Sequence, residues 1–224
     1  MSGLDLALAG VRVTARVSGA LFVEARRALI VADLHLEKGS AFAARGQLLP
    51  PYDTAETLAR LEAEVATLAP ALVILLGDTL HDGGAEDRIA AAHASRIVAL
   101  ARGRTLVWIA GNHDAAGPRD LPGETCESLA LAGLQLVHEP AARPAPGEVA
   151  GHLHPCARVP GAGGRRRCFA TDGERIILPA FGAYAGGLNV RDPAIRGLLG
   201  PRKLAAVLGA GRVHAIPWRR LGGD

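Results

Sequence analysis

Five short stations rich in oxygen and nitrogen ligands punctuate this chain, and each follows an apolar run of strand length. They are Asp33-Leu34-His35, Gly77-Asp78, Gly111-Asn112-His113-Asp114, His138 and Gly151-His152-Leu153-His154. Buried strands that each release polar ligands at their ends call for a fold that gathers those ends at one rim. Ala28 to Ala32, Ala71 to Leu76 and Thr105 to Ala110 are continuous apolar runs separated by helical patterns. The first half therefore reads strand, helix, strand, helix, strand, an order that favours parallel pairing through crossover helices.

The intervening segments have their own signals. Val11 to Ala15 and Leu21 to Ala25 flank Ser18-Gly19 and read as a hairpin. A long loop with no clear periodicity follows the first station and contains Glu37, Lys38, Arg45 and Pro50-Pro51. Asp53 with Glu56 makes a capping box, after which Leu58, Leu61, Val65 and Leu68 recur at helical spacing until Pro70. Residues 85–102 return to a helical pattern through Ile89, Ile97 and Leu100.

The second half changes character. Leu134 to Val137, Glu148 to Ala150, Arg167 to Thr171 and Arg175 to Leu178 read as short strands, the last two joined by the hairpin signal Asp172-Gly173. Residues 201–208 suggest a helix, and Val213 to Ile216 a closing strand. Residues 141–147 and 160–165 are Pro-, Gly- and Ala-rich loops rather than linkers. A chain of 224 residues that is 49% hydrophobic can bury one sizeable core, so a single domain over 1–224 is expected.

Three cysteines without a Cys-x-x-Cys pair, and no secretory pattern at the start, point to the reducing cytoplasm. No apolar stretch reaches the roughly 18 residues of a membrane span, so a soluble protein with no membrane partner is expected. The formal net charge of +3 is unevenly spread: residues 1–140 carry −5 and residues 141–224 carry +8. Arg165-Arg166-Arg167, Arg202-Lys203 and Arg219-Arg220 could meet a polyanion, or form an ordinary solvated face.

Asp33 and His35 lie one alternation apart, as do His152 and His154, so in an extended segment each pair shares a side. Asp78, after a glycine at a strand end, is free to bridge two ions. Asn112 offers a carbonyl oxygen, and His138 a further nitrogen. Mixed Asp, Asn and His ligation without thiolate suits Mn²⁺, Fe²⁺ or Zn²⁺ and argues against a cysteine-built structural zinc site. Ligands of these kinds meeting at one rim are what a two-metal hydrolytic site needs. Taken singly, Asp-x-His is often incidental and Gly-Asp often only ends a strand.

Taken in order, the stations over residues 33–154 resemble the full motif set of the calcineurin-like metallophosphoesterases. The resemblance implies an α/β (α+β) four-layer α-β-β-α sandwich, with two mixed sheets face to face and helices outside. It implies one divalent ion held by Asp33, His35, Asp78 and His154, and a second held by Asp78, Asn112, His138 and His152, with Asp78 as bridge. It further implies hydrolysis by a water activated between the ions and in-line attack on phosphorus. His113 is the non-ligand member, stabilising the transition state or protonating the leaving oxygen, with Asp114 holding its other nitrogen. A buried histidine satisfied by a carbonyl is the alternative for His113.

Stretches outside the ligands are similar to the bacterial ligase-associated DNA-repair metallophosphoesterases. These are Glu37-Lys38-Gly39 through Arg45-Gly46, Leu49-Pro50-Pro51-Tyr52-Asp53, Leu178-Pro179-Ala180-Phe181-Gly182 and Gly186-Gly187-Leu188-Asn189. That branch implies a manganese-dependent endonuclease acting on single-stranded DNA, associated with a repair helicase and a DNA ligase. The basic second half fits such a substrate. Lys38 and Arg45 are candidate phosphate contacts, or solvated charges. His81 could approach the leaving group, or support the site from behind. With 4% aromatics an extended stacking platform is not expected, though Phe42, Tyr52, Phe181 and Tyr184 could each stack one base. His93 and His214 read as packed or surface histidines.

Two other functions fit the same stations. One is a small-molecule phosphodiesterase or phosphomonoesterase acting on a nucleotide-type substrate, because a metal site alone does not choose among these. The other is a scaffold that keeps fold and ligands but works through a partner surface, against which His113 and Asp114 both speak.

Overall fold

The computed structural model describes residues 3–223. In chain order the elements are β1 (Gly3–Leu8), β2 (Val11–Arg16), β3 (Leu21–Val23), β4 (Ala28–Val31), α1 (Lys38–Ala43), α2 (Asp53–Leu68), β5 (Leu72–Leu76), α3 (Ala85–Arg88), α4 (Ala91–Leu100) and β6 (Thr105–Ile109). There follow β7 (Glu124–Cys126), β8 (Ser128–Leu131), β9 (Leu134–Val137), β10 (Glu148–Ala150), β11 (Pro155–Arg158), β12 (Arg165–Thr171), β13 (Arg175–Ile177), β14 (Leu188–Asn189), α5 (Pro193–Arg196), β15 (Leu204–Leu208) and β16 (Val213–Pro217).

Among the described residues the strands form two mixed sheets. One has seven strands in the order β1 to β7, antiparallel from β1 to β4 and parallel from β4 to β7. The other has nine, with β9, β10 and β13 mutually parallel and β12 antiparallel to β13. The expected β2–β3 hairpin and the β12–β13 hairpin are both present.

Apolar side chains fill three layers. Ile30, Ile74, Leu76 and Ile109 of the first sheet meet Leu136, Val149, Phe169 and Ile176 of the second between the sheets. Leu29, Val31, Val73 and Trp108, on the opposite face of the first sheet, pack against Leu58 and Leu61 of α2 and Ile97 and Leu100 of α4. The outer face of the second sheet is covered by Ile195 of α5 with Leu199, Trp218 and Leu221, so the fourth layer is thin. No helix is long and apolar enough to cross a membrane among the described residues.

Four local expectations are corrected. Residues 201–208 contain a strand, not a helix: Leu204-Ala-Ala-Val-Leu208 pairs with β12 on one side and β16 on the other. An apolar run this short has no period of its own, and the sheet supplied the partners. The loop after the first station includes helix α1, entered through Glu37 at φ 66°. The residues 85–102 divide into α3 and α4 because Ile89 and Ala90 are extended. The capping box is not formed, since Tyr52 occupies the cap without a side-chain bond. The Asp53 carboxylate instead accepts from the Gly39 amide at 2.8 Å, docking α1 onto the start of α2.

Candidate metal centre

All five stations leave the ends of parallel neighbours. Asp33 follows β4, Asp78 follows β5 and Asn112 follows β6, while His138 follows β9 and His152 follows β10. Backbone bonds then knit the rim: the Asp33 amide donates to Gly77 O, His35 to Asp78 O, and Gly151 to His138 O.

The extended geometry expected for the paired stations is corrected. Asp33, His35, Asp78, His152 and His154 all have positive φ, between 46° and 68°. L-residues pay on the order of 1 kcal/mol or more for this conformation, which persists only where surroundings enforce it. The two members of each pair converge through these turns rather than through strand alternation. The glycines beside them are required by space. A Cβ on Gly77 would stand 2.2 Å from His138 Nδ1, on Gly111 2.2 Å from the Asp78 amide, and on Gly151 2.8 Å from Asp33 Oδ2.

Two groups of metal-capable atoms result, Asp33 with His35 and His154, and Asp78 with His138 and His152; within each, the atoms lie within 4.8 Å of one another. In the first, His35 Nε2 is 3.3 Å from His154 Nε2, and Asp33 Oδ1 is 3.3 Å from the same nitrogen. Burial first, and His154 second, hold the His35 imidazole down to about 3, so it is a neutral donor at physiological pH. The Asp33 carboxylate also accepts the His152 amide at 3.0 Å.

In the second, His138 Nδ1 faces Leu76 O at 3.2 Å, which turns Nε2 toward Asn112 Oδ1 at 3.1 Å, His152 Nδ1 at 3.3 Å and Asp78 Oδ1 at 3.4 Å. Lone pairs of oxygen and nitrogen so disposed repel unless a cation or a proton lies among them. Burial by itself pulls His138 down, yet the Asp78 hydrogen bond and the Asp33 charge leave it raised. Burial by itself raises Asp78, but the bond to His138 and the His113 amide bring it down to about 2. Both shifts report the same demand for positive charge. The donor set, all oxygen and imidazole nitrogen, fits borderline to hard divalent ions.

His113 lies beside this rim. Its Nδ1 donates to His81 O at 2.7 Å, leaving Nε2 3.9 Å from Asp78 Oδ2. The His81 and His113 rings stack with centroids 5.4 Å apart, and His35 meets both edge-on. These three histidines form a further metal-capable group. Burial first, then the Lys38 charge, lowers His81, and Arg45 acts weakly in the same direction. The structure thus sets Lys38, half-buried on α1, and exposed Arg45 on the His81 side of the rim.

The expected contact between Asp114 and the His113 ring is absent. Asp114 is buried and accepts from the amides of Asp78, Thr79, Leu80 and Gly111 at 2.8 to 3.1 Å. It therefore shapes the turn that presents Asp78. Its burial raises its pKa despite those amides.

Arg167 is a contributor that the sequence reading grouped with surface cations. Its Nη2 donates to the carbonyls of Gly182, Ala183 and Ala185, and the Gly182 amide in turn donates to Asp33 O. A Cβ on Gly182 would fall 2.1 Å from Leu34 O, so this loop is pressed against the first station. The signal available was the position of Arg167 at the start of an apolar strand, Arg167-Cys-Phe-Ala-Thr171.

The family model for calcineurin-like phosphoesterases matches residues 26–176. The structure is similar to the crystal structure of Pseudomonas putida nuclease MPE, with a TM-score of 0.73 and 29% identity, covering 96% of this chain and 100% of that one. Yfce, a phosphoesterase from E. coli, superposes with a TM-score of 0.43 at 15% identity, over 85% and 98% of the respective chains. No curated protein matches the sequence. A family match across both sheets' ligand-bearing strands, on the two-sheet fold that the motifs imply, makes this chain a member of the calcineurin-like phosphoesterases, a metal-dependent phosphoester hydrolase.

Proposed function

We propose that the chain, acting as a single domain, is a nuclease that hydrolyses phosphodiester bonds of single-stranded DNA in repair within the cytoplasm, using two divalent ions of which Mn²⁺ is the working choice. Asp33, His35, Asp78 and His154 would hold one ion, and Asp78, Asn112, His138 and His152 the other. When bound, such ions supply Lewis-acid polarisation of phosphoryl oxygens and activate water near neutral pH. The observation that carries the reading is the similarity over nearly the whole chain to a nuclease, joined to two metal-capable groups on adjoining turns.

The chain's own residues have separable tasks. Asp78, of the second group, would bridge the two ions; its Oδ1 is fixed by the His113 amide at 2.9 Å, its backbone by Asp114, and its charge reaches His35 of the first group. His113, pinned through Nδ1–H, presents Nε2 to the site; carrying a second proton there, as the imidazolium, it would act as the acid for the leaving oxygen or donate to a phosphoryl oxygen. Asp114 is a positioning residue. Lys38 and Arg45 supply positive charge on the His81 side, where a flanking phosphate would lie. A repair helicase and a DNA ligase are the partners this reading expects.

Purified protein with Mn²⁺ and circular single-stranded DNA should give linear and then shorter products. Absence of cleavage by the wild type, or undiminished cleavage after Asp78→Ala, would sink the reading. Faster turnover of a phosphomonoester than of a diester, unaffected by added DNA, would favour the small-molecule alternative.

A further inference from the structure

The cations of residues 141–224 do not form one face. Arg175 is fully buried, with its Nε 2.8 Å from Glu148 Oε1, and Arg167 is committed to three carbonyls. Arg191 donates to Leu221 O. Arg202, Lys203, Arg219 and Arg220 make a separate set, and the strand register locates it. Thr171 of β12 is opposite Leu204 of β15, which is opposite Pro217 of β16. Residues just before β15 and just after β16 are therefore neighbours, and the Trp218 amide donates to Lys203 O.

This junction lies at the end of the sheet remote from the ligands. β12 runs antiparallel to β13, and β13 leads at its C-terminal end into the 178–182 segment at the ligand rim. Thr171 and Leu204 consequently sit at the other pole. Along β12 the rise is about 3.3 Å per residue, which with the flanking loops puts the poles on the order of 20 Å apart.

Arg202, Arg219 and Arg220 are exposed and Lys203 is half-buried. None has a hydrogen-bond or ion-pair partner among the described residues. Asp172, whose turn adjoins this pole, is already accepting from the amides of Gly200, Glu174 and Arg175. Between the cations is a hollow of about 520 Å³ with Pro201, Pro217 and Trp218 in its wall. Trp218 is 8% exposed, its indole N–H has no acceptor among the described residues, and the Lys203 ammonium lies 5.9 Å from its ring centroid. Like charges gathered without a counter-charge repel one another, and a polyanion removes that cost.

We propose that this basic hollow is an exosite for the phosphate backbone of a nucleic-acid strand, holding part of the substrate at the pole opposite the metal-binding rim. The assignment rests on the nuclease reading. One strand of a duplex has a phosphate about every 3.4 Å along its axis and a single strand is more extended, so a strand of several nucleotides, and not a dinucleotide, is needed to touch both poles. The exosite therefore acts on long strands and not on short ones.

The test is Arg202→Ala with Lys203→Ala and Arg219→Ala, compared with wild type on three probes: a ~30-nucleotide labelled single strand, a dinucleotide and a small chromogenic diester. Affinity for the long strand should fall on the order of tenfold, and the slope of log affinity against log salt should shrink by about 2, for three lost contacts at about 0.7 each. Turnover of the dinucleotide and of the chromogenic diester should not change. Unchanged long-strand affinity and slope overturn the exosite. If the triple variant is unstable, Arg219→Gln with Arg220→Gln, both exposed, should still shrink the slope by about 1.4. A wild type that hydrolyses the small diester but neither binds nor cuts DNA overturns the nuclease reading and the exosite together. A wild type that cuts DNA while the variants bind it equally well overturns the exosite alone. Displacement of a polyglutamate peptide, and not of DNA, by these substitutions would assign the hollow to an acidic protein partner instead.

Discussion

The two poles of the second sheet place charge in opposite ways. At the ligand pole, Asp33, His35, Asp78, Asp114 and His138 are buried and His152 and His154 half-buried, with Asp33, His35, Asp78, His152 and His154 mounted on turns of positive φ. At the basic pole, Arg202, Arg219 and Arg220 stand in solvent and Lys203 lies half-buried over the Trp218 ring, with no hydrogen-bond or ion-pair partner among the described residues. Buried polar atoms are in large majority hydrogen-bonded, so each constrains its neighbours. Exposed cations cost only mutual repulsion and constrain little. Substitutions at the first pole should therefore abolish chemistry on every substrate, while those at the second should change only the handling of long strands.

The largest break in this contrast is expected from Asp78→Ala. Loss of Asp78, which belongs to the second metal-capable group and whose charge reaches His35 of the first, should lower phosphodiester turnover roughly a thousandfold or more, for DNA and for a small chromogenic diester alike. Retention of most activity on either substrate would dissolve the idea of one buried centre. His113→Ala comes next, at about 10² to 10⁴ in kcat, with metal content by elemental analysis unchanged. A parallel loss of metal would make His113 a ligand and not an acid.

Asp114→Asn sharpens a finer point. Because Asp114 accepts four backbone amides around Asp78 and touches no ring nitrogen of His113, its replacement should weaken metal affinity about 10- to 100-fold. The kcat at saturating metal should fall far less, and titration of activity against Mn²⁺ separates the two. The smallest effect is on pH. His138 is raised above the usual imidazole value of about 6.5, and metal binding must displace its proton. Affinity at the Asp78, His138 and His152 group should therefore fall as pH drops through and below the folded pKa of His138, by up to about tenfold per unit. His35, held at about 3, remains deprotonated across that range, so it adds no proton to be displaced at the Asp33, His35 and His154 group, which is expected to be the less sensitive on that count. Calorimetry between about pH 6 and 8 checks the order; equal sensitivity would remove the distinction.

Much of the fold was legible where an element coincides with an apolar run or a clear helical period. β5, β6, β9, β10 and α2 lie where their sequence patterns put them, because each is a run whose burial or periodicity is complete within itself. β7, β8, β11 and β14 were not legible, because none forms a continuous apolar run of its own and each exists through its partners. β15 went further and reversed the local reading, since Leu204 to Leu208 carries no period that could oppose pairing on both sides. Among the site residues, the seven proposed ligands and His113 do converge. The contact assigned to Asp114 did not form, because its carboxylate is taken up by the Gly111 amide of its own turn and by three amides after the neighbouring strand β5.

By itself, the sequence determined which side chains would meet and in what order, because each ligand is tied to the end of its own strand and each adjoining glycine to the crowding there. Only the tertiary structure decided how they meet. The left-handed turns, the amides that Asp114 accepts, the grip of Arg167 on the 182–185 loop and the division of the basic residues between core, rim and far pole all depend on atoms distant in sequence. Local patterns carry the identity of a strand-end ligand, whereas burial and pairing, which set charge and orientation, are properties of the packed sheets.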